Sequence, residues 1–276
     1  MAENKLINID LSEIIRARLG AGRGRFLPDF LLRRLEALIC QDQLNDILRY
    51  AYPAMGSDFS HKCLEYLDIQ VITEGLDNLP DNEKFVFASN HPLGGLDGIT
   101  LVGILGKRYG DENVKVLVND MLMHVTPLAP LFLPINKYGA QGRKSAALIN
   151  RAFEEGKQIV MFPAGLVSRL GKDGVIRDLE WQKSFVVKAL DYHRRIVPVK
   201  FQALNSMKFY NWAKWRKKLG IRVNIEQVLL PSEIFKSRGA TFKVIFGKPV
   251  DPTELKLKGS NPAVIAAAIR KIVEKY

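Results

Sequence analysis

Short apolar runs alternate with helical patterns through most of the chain, and this alternation constrains the fold more than any other feature of the sequence. Six runs have the length and composition of buried strands: residues 69–73, 85–88, 114–118, 159–162, 196–201 and 242–246. Four stretches have helical character: residues 98–109, 143–155, 180–192 and a last helix that Asn261 caps and Pro262 opens. This alternation predicts an α/β domain, in which helices flank a mainly parallel central sheet and the crossovers are short.

The first 66 residues have a different pattern and predict an N-terminal helical segment, with the α/β domain at residues 67–276. Three helices are expected there: one capped by Ser12 and ended by glycines at 20–24, one opened by Pro28, and one at 41–50. Their apolar stripes suit packing on the α/β core, or contact with a membrane. Arginines beside the stripes keep the membrane-facing interpretation open: Arg16, Arg18, Arg23, Arg25, Arg33 and Arg34.

Charge and cysteine content limit the partners and the compartment. The chain has 41 Lys and Arg residues against 29 Asp and Glu residues, a net charge of +12. This excess favours anionic partners, which include nucleic acid, an anionic membrane surface and acidic or phosphorylated substrates. Cys40 and Cys63 lack the spacing of a disulfide framework or a zinc site, so we expect two reduced thiols. The N-terminus has no signal-peptide pattern, and we expect a cytoplasmic protein.

Residues 117–135 form the most apolar long segment, but they are too interrupted to cross a membrane as a helix. The segment contains Asp120, His124 and three prolines. A lipid-exposed helix of about 20 residues does not tolerate that combination. We therefore expect no spanning helix, whereas attachment to a membrane surface is compatible with the sequence.

A glycine-rich turn at residues 88–98 follows the second predicted strand and carries His91 and Asp97. A neutral imidazole is the usual general base near pH 7, and a carboxylate beside its other nitrogen orients the ring and stabilises the imidazolium. The sequence has no G-x-S-x-G motif, and Ser89 precedes the histidine, so no nucleophilic triad is indicated. A His-Asp pair that acts alone favours direct group transfer to a substrate hydroxyl or amine.

The other three histidines lack this combination of strand, glycines and carboxylate. We expect His61 in a polar linker, His124 as a hydrogen-bonded imidazole of the core, and His193 at a basic helix end. His91 is therefore the candidate for chemistry.

A second turn, at residues 162–169, also follows a predicted buried strand. The carboxyl ends of parallel strands meet at one edge of a sheet, so we expect this turn to face the His91 turn. The turn ends with Ser168 and Arg169. A guanidinium at this place is suited either to bidentate binding of an anionic group or to a surface salt bridge.

Residues 207–222 combine aromatic and basic side chains in one predicted helix. The membrane-surface candidates in it are Trp212, Lys214, Trp215, Arg216, Lys217 and Lys218. Such a helix is either a solvated face, a site for anionic lipid headgroups or a nucleic-acid patch. The sequence contains no recognised nucleic-acid-binding motif, which disfavours the last interpretation.

Four segments, taken in order, resemble the glycerolipid and lysophospholipid acyltransferases, in particular bacterial ornithine and glycine aminolipid O-acyltransferases and their haemolysin-like relatives. The segments are Asn90-His91 with Asp97, residues 133–143, residues 162–169 and residues 196–199. Two features depart from the family pattern. Five residues separate His91 from Asp97 where the family has four, and Ala164 replaces a glutamate in the third segment. Conformational freedom at Gly94 and Gly95 can absorb the extra residue.

The resemblance implies roles for residues of each segment. His91 would be the general base, Asp97 would orient it, and the backbone N–H groups of Gly94 and Gly95 are candidates to stabilise the oxyanion. Lys137 and Arg143 compete for one basic, substrate-binding position. The other substrate-binding candidates are Phe162, Pro163, Gly165, Ser168 and Arg169, and Ile196 and Pro198 are expected to line an apolar pocket.

The activity implied by the resemblance is transfer of a fatty acyl group from acyl carrier protein (ACP) or CoA to the hydroxyl of a mono-acylated lipid. Because Ala164 stands where the family has an acceptor-linked glutamate, a lyso-glycine or lyso-ornithine lipid is favoured over lysophosphatidate. The acyl thioester is a co-substrate, and we expect no metal or other cofactor. We expect peripheral attachment to the anionic cytoplasmic side of the inner membrane. The alternative of another class is a non-catalytic protein that binds anionic lipid or nucleic acid.

Overall fold

A seven-stranded sheet forms the centre of the computed structural model, which describes residues 29–135, 139–220, 224–256 and 261–276. Its strands are β1 Gln70–Glu74, β2 Phe85–Ser89, β3 Val114–Asn119, β4 Phe132–Ile135, β5 Gln158–Met161, β8 Arg195–Gln202 and β9 Thr241–Phe246. Their order across the sheet is β1-β9-β8-β2-β5-β3-β4. A separate antiparallel hairpin, β6 Arg169–Leu170 and β7 Ile176–Arg177, lies between β5 and β8 along the chain.

Most neighbouring strands run parallel, which confirms the α/β prediction. Strands β4, β3, β5, β2 and β8 share one direction. Strand β9 is antiparallel to β8 and parallel to β1. The carboxyl ends of β5, β2 and β8 therefore lie at one edge of the sheet, with β2 between the other two. This order places the turn after β2 next to the turn after β5.

Helices cover both faces of the sheet. They are α1 Asp29–Leu38, α2 Gln41–Ala51, α3 Gly56–Tyr66, α4 Gly95–Tyr109, α5 Gly139–Glu154, α6 Ser184–Asp191, α7 Met207–Lys218, α8 Leu230–Lys236, α9 Pro252–Lys256 and α10 Pro262–Lys275. Phe85 and Phe87 of β2 pack in the cluster that includes α2, α3 and α4, whereas Val86 and Ala88 pack with α5, α6 and α10. All four side chains are fully buried. A strand covered on both faces has a continuous apolar sequence, and this is the signal that predicts β2.

Helices α2 and α3 belong to the same hydrophobic core as the sheet. Ile47, Phe59 and Leu64 are buried in the cluster that contains Phe87. The apolar stripe predicted at residues 41–50 therefore serves core packing in α2, whereas α3 is not predicted from the sequence. The helix predicted after Ser12 lies outside the described residues. The division of the chain near residue 66 stays a prediction.

The two cysteines are free thiols. Cys63 lies in the core on α3, and burial raises its pKa to about 12. A thiol with so high a pKa forms little of the reactive thiolate at neutral pH. Cys40 is half-buried between α1 and α2, and burial raises its pKa as well.

Several local details differ from expectation. The sequence does not predict β4, because Pro134 interrupts the strand pattern and is typical of a loop. The strand tolerates proline because it lies at the edge of the sheet and pairs only with β3. The hairpin of β6 and β7 is too short to leave a periodic signal. Three helices also begin at other residues than predicted: Gly95 instead of 98, Gly139 instead of 143 and Ser184 instead of 180. Among the described helices, none combines the length and the hydrophobicity needed to cross a membrane.

Two histidines lie in surroundings other than those expected. His61 belongs to helix α3 and not to a linker. His124 is exposed in a short 3-10 turn, Asp120–His124, and not buried in the core. His193 follows α6 and is exposed, as a helix-end residue would be.

Candidate active site

The turns after β2 and β5 contact each other, as expected for neighbouring parallel strands. The Ser168 N–H donates to the His91 carbonyl oxygen at 2.8 Å. The His91 and Phe162 rings lie with their centroids 4.3 Å apart and their planes inclined by 32°. The Gly165 N–H closes the second turn by donating to the Phe162 carbonyl at 3.0 Å, and the φ of Gly165 is 67°, which favours glycine. The two turns together form one candidate site.

His91 and Asp97 form a close pair at the start of α4. The Nδ1 atom of His91 lies 2.9 Å from Oδ2 of Asp97. Nδ1 makes no hydrogen bond of good angle, so the contact in this geometry is mainly electrostatic. The Asp97 side chain is fully buried, whereas the His91 side chain is 19% exposed. Because Nδ1 faces the carboxylate, Nε2 is the ring nitrogen left for a substrate.

The loop between the two residues accommodates the extra residue by folding its backbone onto the carboxylate. The N–H groups of Leu93 and Gly94 both donate to Asp97 Oδ2, each at 3.0 Å. Gly94 has a φ of 88°, and α4 begins at the next residue. A Cβ atom at Gly94 would lie 3.2 Å from Val167 and 3.3 Å from Leu230. The backbone conformation therefore favours glycine at residue 94, and a side chain there would also press on Val167 and Leu230.

Burial dominates the titration of Asp97. Loss of water raises the pKa of its carboxyl, while His91 and the N–H groups of Leu93 and Gly94 act in the opposite direction. Water screens little in the interior, so a charge on Asp97 interacts strongly with a charge on the adjacent imidazole. The pair is thus suited to stabilise the positive charge that His91 gains on taking a proton.

Asp178, which sequence reasoning missed, joins the two turns. Its Oδ1 accepts from the His91 N–H at 3.1 Å and from the Ser168 hydroxyl at 2.6 Å. Its Oδ2 accepts from Nε1–H of Trp181 at 2.9 Å. Asp178 is a buried, isolated aspartate in the loop between β7 and α6, where no local pattern indicates this role.

Two amide side chains fasten the His91 turn to the region of β8. Asn90 accepts from the Phe201 N–H at 2.6 Å and donates to the Phe201 carbonyl at 3.0 Å. The Asn205 side chain donates to the Pro92 carbonyl at 3.0 Å. With Asp178 on the other side, the turn is held by its own Asn90 and by polar side chains from two distant segments. Such support fixes the position of a reactive side chain.

The predicted basic residues have different surroundings. Arg143 is exposed on α5, and Lys137 lies outside the described residues. Arg169 Nη2 lies 2.7 Å from Oε1 of Glu226, and Arg216 Nε lies 2.7 Å from Oε2 of the same carboxylate. The Glu226 side chain is fully buried between the two guanidinium groups. Arg169 thus forms a salt bridge, although a buried one instead of the surface pair considered above; its role toward a substrate stays a prediction.

The remaining predicted residues lie around the two turns or in the core. The Pro163 carbonyl accepts from the Gln182 N–H at 2.9 Å, which ties the Phe162 turn to the segment before α6. Ile196 is fully buried in the core cluster, and Pro198 pairs in register with Ala88. Both β8 residues therefore belong to the packed sheet. Within the described ranges, no group of three or more His, Cys, Asp or Glu side chains is placed to hold a metal ion.

Helix α7 presents an aromatic and basic surface. Trp212 and Trp215 are 44% and 60% exposed. The exposed basic residues of the helix include Lys214, Lys217 and Lys218. We call these five residues the α7 surface. Arg216 is not part of it, because its guanidinium is directed to the buried Glu226.

A parallel α/β sheet that presents a His-Asp pair beyond its central strand is suited to group transfer. Residues 15–273 match the family model described as "Acyltransferase". The chain belongs to this acyltransferase family, and the protein is an acyltransferase.

Two relatives are similar to the chain over its whole length. The lyso-glycine lipid O-acyltransferase of Bacteroides thetaiotaomicron is 42% identical over 275 residues, which cover 100% of both chains. The lyso-glycine lipid O-acyltransferase of Phocaeicola vulgatus is also 42% identical over 275 residues, covering 100% of this chain and 97% of that protein. Among solved structures, 1-acyl-sn-glycerophosphate acyltransferase PlsC of Thermotoga maritima aligns with 89% of this chain and 92% of its own, at 14% identity and a TM-score of 0.47.

Proposed function

We propose that the protein transfers a fatty acyl group from an acyl thioester of ACP or CoA to the hydroxyl of a lyso-aminolipid such as a lyso-glycine lipid. The observation that carries the proposal is the contact of His91 with the buried Asp97 at the meeting of the two turns. The 42% identity to two lyso-glycine lipid O-acyltransferases supports the choice of acceptor. The acceptor class is a mono-acylated amino acid whose fatty acid carries a hydroxyl group.

In the proposed reaction, Nε2 of His91 takes the proton of the acceptor hydroxyl while the oxygen attacks the thioester carbonyl carbon. A tetrahedral intermediate forms, with negative charge on the former carbonyl oxygen. On its collapse the carbon–sulfur bond breaks, the new ester stays on the acceptor, and His91 returns its proton to the departing thiolate. The products are a diacylated lipid and the free thiol of the carrier, so protons and charge balance.

Asp97 and the start of α4 support this cycle. The buried carboxylate faces Nδ1 and stabilises the imidazolium during the reaction. The Gly94 N–H already donates to Asp97. Gly95 is therefore the better of the two oxyanion candidates, because it is the first residue of α4, where N–H groups lack partners within the helix and the helix dipole favours negative charge.

Ala164 favours an aminolipid acceptor over lysophosphatidate. Related acyltransferases carry a glutamate after the Phe-Pro pair, and that glutamate is linked to the acceptor. Ala164 occupies this place and is 8% exposed, so the Phe162 turn offers the acceptor no carboxylate here.

The α7 surface is the proposed contact with an anionic membrane, where a lipid acceptor resides. Its two tryptophans suit the interfacial region of a bilayer, and its three lysines each contribute roughly 1 kcal/mol near an anionic leaflet. Attachment of this kind needs no spanning helix.

The proposal is tested with the purified full chain, an acyl-ACP or acyl-CoA donor and vesicles that carry the acceptor. We expect the diacylated product, measured by mass spectrometry, to form with a higher kcat/KM from an N-(3-hydroxyacyl)glycine than from lysophosphatidate. A preference for lysophosphatidate, or no transfer by folded protein with either donor, would reject the proposed acceptor.

The same vesicles test the membrane contact. We expect sedimentation of the protein with phosphatidylglycerol vesicles to fall when Lys214, Lys217 and Lys218 are all replaced by glutamate. The triple substitution leaves the two turns unchanged, so transfer to a detergent-dispersed acceptor should be retained. Unchanged sedimentation would reject the α7 surface as the membrane contact and leave the acyl-transfer proposal in place.

A further inference from the structure

A cleft of about 650 Å³ lies beside the His91 turn, and the reaction described above does not use its polar lining. Asn90 and Pro92, the two neighbours of His91, line one part of it, and Asp178 lines another. The cleft therefore shares with His91 the segment that holds the imidazole in place.

Lys200 is the distinctive charge of this cleft. It lies on β8, two residues after Pro198, and lines the cleft together with two arginines. Arg270 is paired with Glu274 at 2.8 Å, and Arg177 is paired with Asp173. Over the described part of the chain, the Lys200 ammonium makes no salt bridge or hydrogen bond.

The carboxylates near Lys200 already have partners. Asp178 accepts from the Ser168 hydroxyl and the Trp181 ring N–H as well as from the backbone of the His91 turn. Partial burial lowers the pKa of Lys200, while Asp178 and Glu274 act in the opposite direction. Lys200 is thus a partly desolvated cation for which an anionic ligand would be a close partner.

The rest of the lining suits an apolar chain. Leu204 and Val175 are 62% and 50% exposed, and both line the cleft, as does Val273. Burying such side chains against a hydrocarbon chain removes apolar surface from water. An anionic headgroup joined to an acyl chain therefore matches both parts of the lining.

We propose that Lys200 binds the carboxylate of the lyso-aminolipid acceptor in this cleft, with the acyl chain against Val175 and Leu204 and the hydroxyl directed to the His91 turn. The inference rests on the proposed function, which supplies an acceptor with a free carboxylate. It assigns headgroup recognition to Lys200, which directly follows the fourth segment on β8, and not to Lys137 or Arg143, the basic residues that the family resemblance suggests.

The first test measures binding without turnover. N-palmitoylglycine has the carboxylate and the chain but no hydroxyl, so it is not acylated. We expect Lys200→Met to weaken its binding, measured by calorimetry on the full chain, by about tenfold or more, the usual effect of losing a charge-assisted hydrogen bond. Lys84→Met is the matched control, since Lys84 is exposed just before β2, at the opposite edge of the sheet. Its affinity should equal that of the wild type.

The neutral ligand N-palmitoylglycinamide separates charge recognition from structural damage. The wild type should prefer the acid over the amide, and Lys200→Met should lose this preference, whereas Lys200→Arg should keep most of it. Equal weakening of acid and amide binding in Lys200→Met would overturn the proposal. Thermal unfolding of each variant shows that it is folded.

Steady-state kinetics distinguish acceptor from donor. Lys200→Met should raise the KM for the acceptor about tenfold and leave kcat and the KM for the donor near wild type, because the lost contact is the same in ground and transition states. A rise in the donor KM alone would assign the lysine to a donor phosphate and overturn the proposal.

The two proposals fail separately. Transfer to lyso-aminolipid with an unchanged acceptor KM in Lys200→Met rejects the Lys200 site and keeps the acyl-transfer function. Lys200-dependent binding of N-palmitoylglycine by a protein that acylates no lyso-aminolipid supports the site and rejects the function.

Discussion

Two fully buried carboxylates, Asp97 and Glu226, each contact cationic or potentially cationic side chains, and the partners make them different in kind. Glu226 lies between the guanidinium groups of Arg169 and Arg216, which bind it as cations. Asp97 contacts an imidazole, the side chain that most often acts as a general base. One cluster is a fixed arrangement of charges, whereas the other is able to move a proton.

Burial alone does not give a carboxylate a chemical role. The Glu226 cluster joins β6 to α7, and Arg169 also lies over the Phe209 ring at 5.4 Å from its centroid. The Glu226 cluster therefore stabilises the packing of α7 against β6, the strand that follows the turn at residues 162–169. Asp97 acts on a partly exposed ring with one nitrogen free for a substrate. The proton affinity of the partner and its access to the surface decide which pair is reactive.

The largest effect is expected for His91→Ala, which removes the proposed base. The kcat for acyl transfer should fall by about 10²–10⁴-fold, the usual contribution of general acid–base catalysis. The ring is partly exposed, so the melting temperature should change little. Acyl transfer and thermal unfolding are measured on the same preparation. A folded variant with the wild-type kcat would show that the His-Asp pair is not the reactive one.

Glu226→Gln should act on stability instead of turnover. It removes the carboxylate charge that two largely buried guanidinium groups share, and breaking such a buried pair costs about 3 kcal/mol of the free energy of unfolding. Urea unfolding measures the loss, and kcat measured at a temperature where the variant is folded should stay near wild type. A large drop in kcat without loss of stability would remove the distinction between the two carboxylates.

Asp97→Asn should lower turnover without lowering stability, the reverse of Glu226→Gln. Burial raises the pKa of Asp97 in the folded protein above its unfolded value of about 3.9, so charging this group at neutral pH disfavours the folded state. The variant should lower kcat by about 10- to 100-fold through loss of a charge-assisted contact, without a fall in the free energy of unfolding at pH 7.

The pH dependence checks this sign. In the wild type, the contribution of Asp97 to the free energy of unfolding is lost as the pH rises from the unfolded pKa of this group through its folded pKa. The free energy of unfolding of the wild type, relative to that of Asp97→Asn, should therefore be greater in acid than at pH 7. Asp77→Asn, at a fully exposed position, is the control for the change of a carboxylate to an amide. Urea unfolding across the pH range provides the measurement, and a variant that is destabilised at pH 7 as strongly as Glu226→Gln would contradict the interpretation.

The fold was predictable from sequence where burial leaves a local pattern. The continuous apolar run of β2 and the alternation of strands with helices both follow from a sheet covered on two faces. Strand β4 was not predictable, because a proline at a sheet edge resembles a loop in sequence. The antiparallel direction of β9 has no local signature either, since direction depends on the connection and not on composition.

The candidate site was predictable where its residues are neighbours along the chain. His91 and Asp97 lie in one loop, and Phe162 ends the neighbouring strand. Partners from distant segments were not predictable. Asp178 binds His91, 87 positions away, and Glu226 binds Arg169, 57 positions away. The sequence around an isolated acidic residue in a loop does not indicate which residue it will contact. The salt bridge of Arg169 with Glu226 is therefore seen only in the structure.

The side-chain anchors of the His91 turn also bear on how the protein is made. The hydrogen bond between His91 and Asp178 joins residues 87 positions apart, and that between Asn90 and Phe201 joins residues 111 positions apart. Contacts so distant in sequence form late, because the entropy of closing a long loop must be overcome first. A growing chain on the ribosome holds the complete His91-to-Asp97 loop long before either anchor has been synthesised. Competence for chemistry therefore arises with the finished tertiary structure and not with the loop that carries the reactive pair.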